Sequence, residues 1–139
     1  MSLDRKKALA LLNAGCTCAI IAQGKILQST RRGVAPLVEW VQAEENCRGG
    51  FAADKVVGKA AAYLYVLLKV QSVYARVMSE AAEGVFVRFG IAYEYESKVP
   101  AIRNRDGMGF CPMEQAVWNT DEPETAYERI IKRMEELRK

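Results

Sequence analysis

The fold is decided by the stretch Ala53-Asp54-Lys55-Val56-Val57-Gly58-Lys59-Ala60-Ala61, where a short strand is predicted to lead into a buried helix. Residues 60–68 are apolar on every side of a helix, so this helix is expected at the centre of the molecule. Asp54 is a suitable N-cap for it. Lys55 and Lys59 would then lie one turn apart at its N-terminus, where the helix dipole disfavours cations. Such a departure from a local rule indicates a functional site or strain.

On both sides of this stretch, hydrophobic periodicity and turn residues predict alternating helices and strands. The predicted elements are helix 3–13, strands 16–22 and 26–30, helix 36–45, strand 51–53, helix 54–69, strand 72–78, helix 79–89, strand 91–95, a loop over 96–110, and helices 112–118 and 122–138. One hairpin followed by strands that alternate with helices predicts a mixed, layered α/β sheet. The length of 139 residues fits one domain, 1–139.

The composition excludes several classes of chemistry. The chain contains no histidine, which rules out an HExxH zinc site, a Ser-His-Asp triad and a His-x-Glu deaminase motif. A net charge of +3 without a basic block argues against nucleic acid as the main partner and supports only a weak preference for anions. Four cysteines without CxxC spacing fit a reduced, cytoplasmic setting, and no apolar stretch is long enough for a membrane span.

The junction over residues 53–61 is the first candidate site. Helix-start N–H groups and the two ammonium groups of Lys55 and Lys59 would make an anion site, which Asp54 would orient. Gly58 has no side chain, so a ligand or a neighbouring backbone could approach closely. The structural alternative is a capped helix whose lysines reach solvent while Gly58 packs against the sheet.

The second candidate site lies at the end of the predicted long loop. Pro112 fits the first position of a helix, which makes Cys111 the N-cap and Glu114 the third helical residue. A thiolate is favoured at a helix N-terminus, so Cys111 is the best nucleophile candidate. Arg103 and Arg105 offer guanidinium groups for a phosphate or carboxylate. The alternative is a variant of the capping box with an ordinary buried thiol.

A third, weaker candidate is Arg31-Arg32-Gly33, at another strand-to-helix junction. Arginine pairs in loops are usually solvated, and that is the structural alternative here. Cys16 and Cys18 fit buried core thiols better than metal ligands, because no histidine or further cysteine lies nearby in the sequence.

Three segments together resemble the bacterial family of domains of unknown function DUF1893: residues 32–37, 53–62 and 104–114. The resemblance extends over about residues 14–136. That family is similar in fold to cytidine deaminases. The resemblance therefore implies a cytidine-deaminase-like three-layer α/β fold, in which helices flank a mixed five-stranded sheet.

In cytidine deaminases, the zinc ligands and the catalytic glutamate lie at two strand-to-helix junctions. By order of elements these correspond to residues 32–37 and 54–59, neither of which contains His or Cys. The resemblance thus implies that the fold is kept without the zinc, and no other cofactor is expected. The residues that would gather at the mouth of the pocket instead are Arg31, Arg32, Asp54, Lys55 and Lys59.

Three functions remain open. The first is a zinc-independent protein that binds a small anionic, nucleotide-like ligand through Lys55, Lys59, Arg103 and Arg105. The second is an enzyme with Cys111 as its nucleophile and Asp54 or Glu114 in acid/base work. The third is a non-catalytic interaction module, such as a homodimer. The sequence does not name the substrate or the reaction.

Overall fold

The computed structural model describes residues 3–102 and 111–138 of the chain. The elements are α1 Leu3–Asn13, β1 Cys18–Ala22, β2 Lys25–Ser29, α2 Ala35–Gln42, β3 Phe51–Val57, α3 Lys59–Leu68, β4 Ser72–Ser79, α4 Glu80–Phe89, β5 Ala92–Val99, α5 Pro112–Val117 and α6 Pro123–Arg138. Among these, no helix combines the length and the apolar composition needed to cross a bilayer.

The predicted mixed sheet is confirmed. Five strands lie in the order β2-β1-β3-β4-β5, with β1 antiparallel to both of its neighbours and β3, β4 and β5 parallel to one another. The parallel strands are joined by α3 and α4, as crossovers between parallel strands require. The protein is therefore an α/β structure whose sheet is flanked by helices.

The two faces of the sheet are covered unequally. On one face, α1 buries Ala8 and Leu12 against Ile21, Phe51 and Ala53. On the other face, α3 forms the centre of the larger core, and α2, α4, α5 and α6 pack around it. As its all-round apolar composition predicts, α3 is buried over most of its length.

The alternation of side chains between the two faces of the sheet is broken in the central strands next to α3. In β3 the residues facing the larger core are Ala52, Asp54 and Val57, and β4 repeats the same spacing of two and then three residues. The break acts like a β-bulge, because it changes which side chains face each layer. Lys55 and Val56 lie at this break, and Val56 is exposed.

The predicted boundary between strand and helix is wrong. Asp54 does not cap a helix, because it lies within β3, paired with Cys18 of β1 and Ala75 of β4. Pairing with β4 carries the strand on to Val57, beyond the last pair with β1 at Asp54, and the N-cap of α3 is Gly58. Lys55 and Lys59 consequently lie on different elements and do not share a helix face.

Other boundaries are corrected or confirmed. The strand predicted over 91–95 continues to Val99, because β4 goes on pairing with it, so the predicted loop 96–110 is wrong over its first four residues. The predicted strand 16–22 begins at Cys18, and the predicted helix 36–45 ends at Gln42. Pro36 in the first turn of α2, and Gly90 with a φ of 72° at the end of α4, are confirmed.

Candidate functional site

A cleft of about 730 Å³ opens at the carboxyl end of β3. Ligands of α/β proteins commonly bind where the carboxyl ends of strands meet the starts of helices. We call this space the β3 cleft. Its lining comes from β1 and the residue before it, the approach to α2, the end of β3, the start of α3, both sides of the α5 N-terminus, and α6: Thr17, Cys18, Arg32, Gly33, Val34, Asp54, Lys55, Val56, Gly58, Ala61, Ile102, Cys111, Pro112, Met113, Glu114 and Leu137.

Asp54 is one of two buried carboxyl groups that line the cleft, with 8% of its surface exposed, and Glu114 is the other, with 4%. The hydroxyl of Tyr65 donates to its Oδ2 at 2.6 Å, and the backbone N–H of Val56 donates to its Oδ1 at 3.2 Å. Burial raises the pKa of Asp54 to about 7, although the hydrogen bonds from Tyr65 and from the backbone N–H groups of Val56 and Lys55 oppose that shift. A carboxyl that gains or loses a proton near neutrality is suited to general acid/base work.

Glu114 occupies the N-terminus of α3. Its Oε1 accepts the N–H of Lys59 at 2.7 Å, and its Oε2 accepts the N–H of Ala60 at 2.8 Å. A carboxylate is stabilised there by the helix dipole and by N–H groups that have no partner within the helix. The N–H groups of Lys59 and Ala60 at this helix start are therefore occupied by a carboxylate of the chain itself.

Gly58 is required by that contact. A Cβ on Gly58 would lie 2.4 Å from Oε1 and 2.5 Å from Cδ of Glu114. Its φ of −100° is accessible to any residue, so the requirement is one of space alone. The group that approaches Gly58 is the side-chain carboxylate of Glu114, where the sequence predicted a ligand or a neighbouring backbone.

The candidate cations separate into two groups. Arg32 and Lys55 line the β3 cleft, and neither forms a salt bridge within residues 3–102 and 111–138. Lys59 donates from Nζ to the carbonyl of Trp118 at 2.9 Å and lies outside the cleft lining. Arg31 forms an ion pair with Glu39, also away from the cleft. The structure thus brings together only two of the four described cations that the sequence predicted to meet.

Two thiols line the cleft. Cys111 is the N-cap of α5, as predicted, and is half-buried. Its predicted capping-box partner Glu114 caps α3 instead, because its carboxylate is bound to the Lys59 and Ala60 N–H groups. Cys18 is buried next to Asp54 on the paired strand, and burial raises its pKa to about 12. Arg103 and Arg105 lie outside the described residues.

The residues at the two helix starts do not fit the zinc ion of a cytidine deaminase. The approach to α2 presents Val34, Ala35 and Pro36, and the start of α3 presents Gly58 and Lys59. None of these side chains is a ligand that zinc uses, and the α3 N–H groups are bound to Glu114. Within the described ranges, no cluster of three His, Cys, Asp or Glu side chains is arranged to hold a metal.

Sequence reasoning missed the hydroxyl of Tyr65 as a partner of Asp54. Tyr65 is fully buried, and its hydroxyl reaches a strand residue eleven positions earlier. A usable signal was present, because a buried tyrosine needs a hydrogen-bond partner and Asp54 is the nearest carboxyl along the chain. Cys18 was assigned to the core alone, since only strand pairing brings it next to Asp54.

Among solved structures, the chain is similar to the crystal structure of a DUF1893 family protein (TM1506) from Thermotoga maritima, with 25% sequence identity and a TM-score of 0.85 over 95% of this chain and 91% of that chain. No curated protein matches the sequence. The model of the TM1506 family, described as a domain of unknown function (DUF1893), matches residues 7–134, so the chain belongs to the DUF1893 family.

Proposed function

We propose that this protein binds a small anionic ligand in the β3 cleft, without zinc. The observation that carries the proposal is the pair of cations, Arg32 and Lys55, which line one cleft without a carboxylate partner among the described residues. A guanidinium group and an ammonium group in a partly enclosed cleft attract an anion more strongly than they would on an open surface.

The walls of the cleft indicate the rest of the ligand. Val34, Ala61, Ile102 and Met113 supply apolar surface between the polar groups. Small-molecule sites commonly combine such walls with a few converging polar groups. A compact apolar or aromatic body that carries a phosphate or carboxylate fits this lining, and a nucleotide-like compound is one member of that class.

The test is a thermal-shift series with inorganic phosphate, nucleoside monophosphates, sugar phosphates and dicarboxylates. We expect at least one of these anions to raise the melting temperature of the wild-type protein, and Arg32→Gln and Lys55→Gln each to reduce that rise. Lys7→Gln is the matched control, because Lys7 is exposed on α1 and lies outside the cleft lining. If no anion has an effect, or if the three variants respond alike, the proposal is wrong. A further variant, Arg103→Gln/Arg105→Gln, tests the other two predicted cations.

An enzyme that uses Cys111 is the second candidate. The observation that favours it is that Cys111 and Asp54, a possible nucleophile and a possible acid/base group, line the same cleft. We expect iodoacetamide to alkylate Cys111 faster than Cys16, the other half-buried thiol. The alkylation rate of Cys111 in the wild type should depend on pH near 7, and the rate in Asp54→Asn should not. If the alkylation rate of Cys111 does not exceed that of Cys16, this second candidate function is wrong.

The cytidine-deaminase-like character of the fold is also a proposal. It is supported by the mixed five-stranded sheet and by a cleft that borders both the approach to α2 and the start of α3. Elemental analysis of the purified protein tests the zinc-independent part, and stoichiometric zinc would contradict it. A cytoplasmic location and a homodimer remain predictions, and light scattering measures the second.

A further inference from the structure

We infer that the β3 cleft selects a zwitterion, with a cationic nitrogen that donates to Asp54 and an anionic group that binds Arg32 and Lys55. This inference rests on the proposed function, and it names the class of ligand. It predicts that an amino group on an anionic compound increases its affinity.

The first support is the order of charges along the cleft. Asp54 is buried, Lys55 is half-buried and Arg32 is exposed, and all three line the same space. The carboxyl group is thus deep and the cations lie towards solvent. A ligand with opposite charges at its two ends matches this order, whereas a simple anion engages only the outer part.

The second support is that Asp54 retains acceptor capacity. An ionised carboxylate has about four lone-pair sites. The Tyr65 hydroxyl and the backbone N–H groups of Val56 and Lys55 use at most three of them. The other carboxylate of the cleft, Glu114, already accepts two N–H groups at the start of α3. Asp54 therefore keeps acceptor capacity for a hydrogen bond from a ligand.

The third support is the environment of Asp54. Tyr65 of α3, Cys18 of β1 and the neighbouring Lys55 surround it, while Arg32, Glu114 and Cys111 line the remainder of the cleft. Lys55 lies next to Asp54 in the chain, yet among the described residues its ammonium group forms no salt bridge with Asp54, whose hydrogen bonds come from the Tyr65 hydroxyl and from backbone N–H groups. A ligand ammonium would supply a cation at the deep end, and ionisation of Asp54 on binding would release a proton.

The experiment compares ligands that differ only in an amino group. The probes are O-phosphoethanolamine against ethyl phosphate, and a series of ω-amino alkanoates against the matching alkanoates. Isothermal titration calorimetry at pH 7, in two buffers of different ionisation enthalpy, measures both the affinity and the protons released. We expect the amino compound of at least one pair to bind about tenfold more tightly to the wild type, with proton release.

Two variants assign the effect to Asp54. Asp54→Asn is expected to bind both members of that pair equally and to release no proton. Tyr65→Phe keeps the carboxylate and removes a competing donor, so the preference for the amino compound should persist; this variant also serves if Asp54→Asn does not fold.

The outcomes separate this inference from the proposed function. If both members of every pair bind the wild type equally, or if Asp54→Asn keeps the preference, the zwitterion inference is wrong and the anion site stands. If no probe binds and no anion raises the melting temperature in the thermal-shift series, both are wrong.

Discussion

Glu114 and Gly58 form one structural unit, although 56 positions separate them along the chain. The carboxylate of Glu114 joins α5 to the start of α3 through two short hydrogen bonds, and the missing side chain of Gly58 makes room for it. Hydrogen bonds to a charged acceptor at a helix N-terminus are stronger than neutral ones. This contact joins two elements that line the β3 cleft, α5 and the start of α3.

Glu114→Gln is expected to lower the free energy of unfolding by about 1–3 kcal/mol, because the amide keeps the shape of the side chain but loses its charge and one acceptor. Urea denaturation followed by circular dichroism measures the change. Glu128→Gln, at an exposed position of α6, is the matched control and should change stability by less than about 0.5 kcal/mol. Equal effects of the two substitutions would show that the contact does not stabilise the fold.

Gly58→Ala is expected to destabilise the protein by about 1–3 kcal/mol, because the new Cβ would overlap the Glu114 carboxylate. The cost should fall on a Glu114→Ala background, where the overlapping atoms are absent. Gly84→Ala is the control: Gly84 lies within α4 with open space around it, so alanine should stabilise that helix by up to about 1 kcal/mol. Additive effects of the two substitutions at 58 and 114 would contradict the overlap.

Asp54 predicts a pH dependence with a definite sign. Its pKa is raised from 3.8 to about 7 by burial, so between these values the folded state holds a proton that the unfolded state has lost. The contribution of Asp54 to the free energy of unfolding is therefore greatest below about pH 4. It falls as the pH rises towards 7, by at most about 1.4 kcal/mol per pH unit. Burial also raises the pKa of Glu114, which contributes with the same sign.

The difference in unfolding free energy between wild type and Asp54→Asn isolates the contribution of Asp54. Denaturation curves at pH 4, 5.5, 7 and 8 should show the wild type losing stability relative to the variant as the pH rises to 7, and little further change above that. A difference that does not vary with pH would mean that the carboxyl is not desolvated in the folded protein.

At the scale of the elements, the extension of β3 to Val57 places the two lysines of the opening stretch in different environments. Lys55 remains in the strand and lines the cleft, whereas Lys59 begins α3 and binds the carbonyl of Trp118 in the connection between α5 and α6. Lys59 also approaches the rings of Tyr63 and Trp118, with its Nζ 5.8 and 6.0 Å from their centroids.

Substitution of the two lysines should therefore have opposite effects on stability and on anion affinity. Lys59→Gln is expected to lower stability by about 1 kcal/mol and to leave the anion affinity unchanged, because it removes a contact between elements outside the cleft. Lys55→Gln should reduce anion affinity with little loss of stability. Chemical denaturation and ligand titration of both variants check this, and equal losses of affinity would restore the sequence-based prediction of one shared site.

Local sequence signals located some element boundaries and missed others for a physical reason. Pro36 and Gly90 act through their own backbone preferences, so their positions in the first turn of α2 and at the end of α4 could be predicted. The end of β3 depends on pairing with β4, which no local pattern records. A residue such as Asp54, suited both to a helix cap and to a polar site in a strand, is assigned by that pairing.

At the scale of the whole molecule, the larger core around α3 buries two of the four thiols. Cys18 and Cys47 lie in the larger core, with 3% and 0% of their surface exposed, while Cys16 and Cys111 are half-buried. Cys47 illustrates the effect of tertiary packing, because its neighbours in sequence are polar and its burial comes from the core cluster around α3.

Two thiols are therefore expected to react with Ellman's reagent in the native protein, and all four after denaturation in urea. Mass spectrometry of the alkylated peptides should assign the fast pair to Cys16 and Cys111. The rate at Cys47 should follow global unfolding, since the residue is fully buried. Fast modification of Cys47 in the native state would contradict the packing of this core.

The sequence by itself determined the α/β class, the buried central helix over residues 60–68, the absence of histidine chemistry and the resemblance to the DUF1893 family. These properties depend on composition, periodicity and local backbone preference, which can be read along the chain. Only the tertiary structure decided that Asp54 belongs to a strand with Tyr65 as its donor, and that Glu114 occupies the anion position at α3. Those contacts join residues 11 and 55 positions apart, and they exist because the sheet and its helices bring distant segments together.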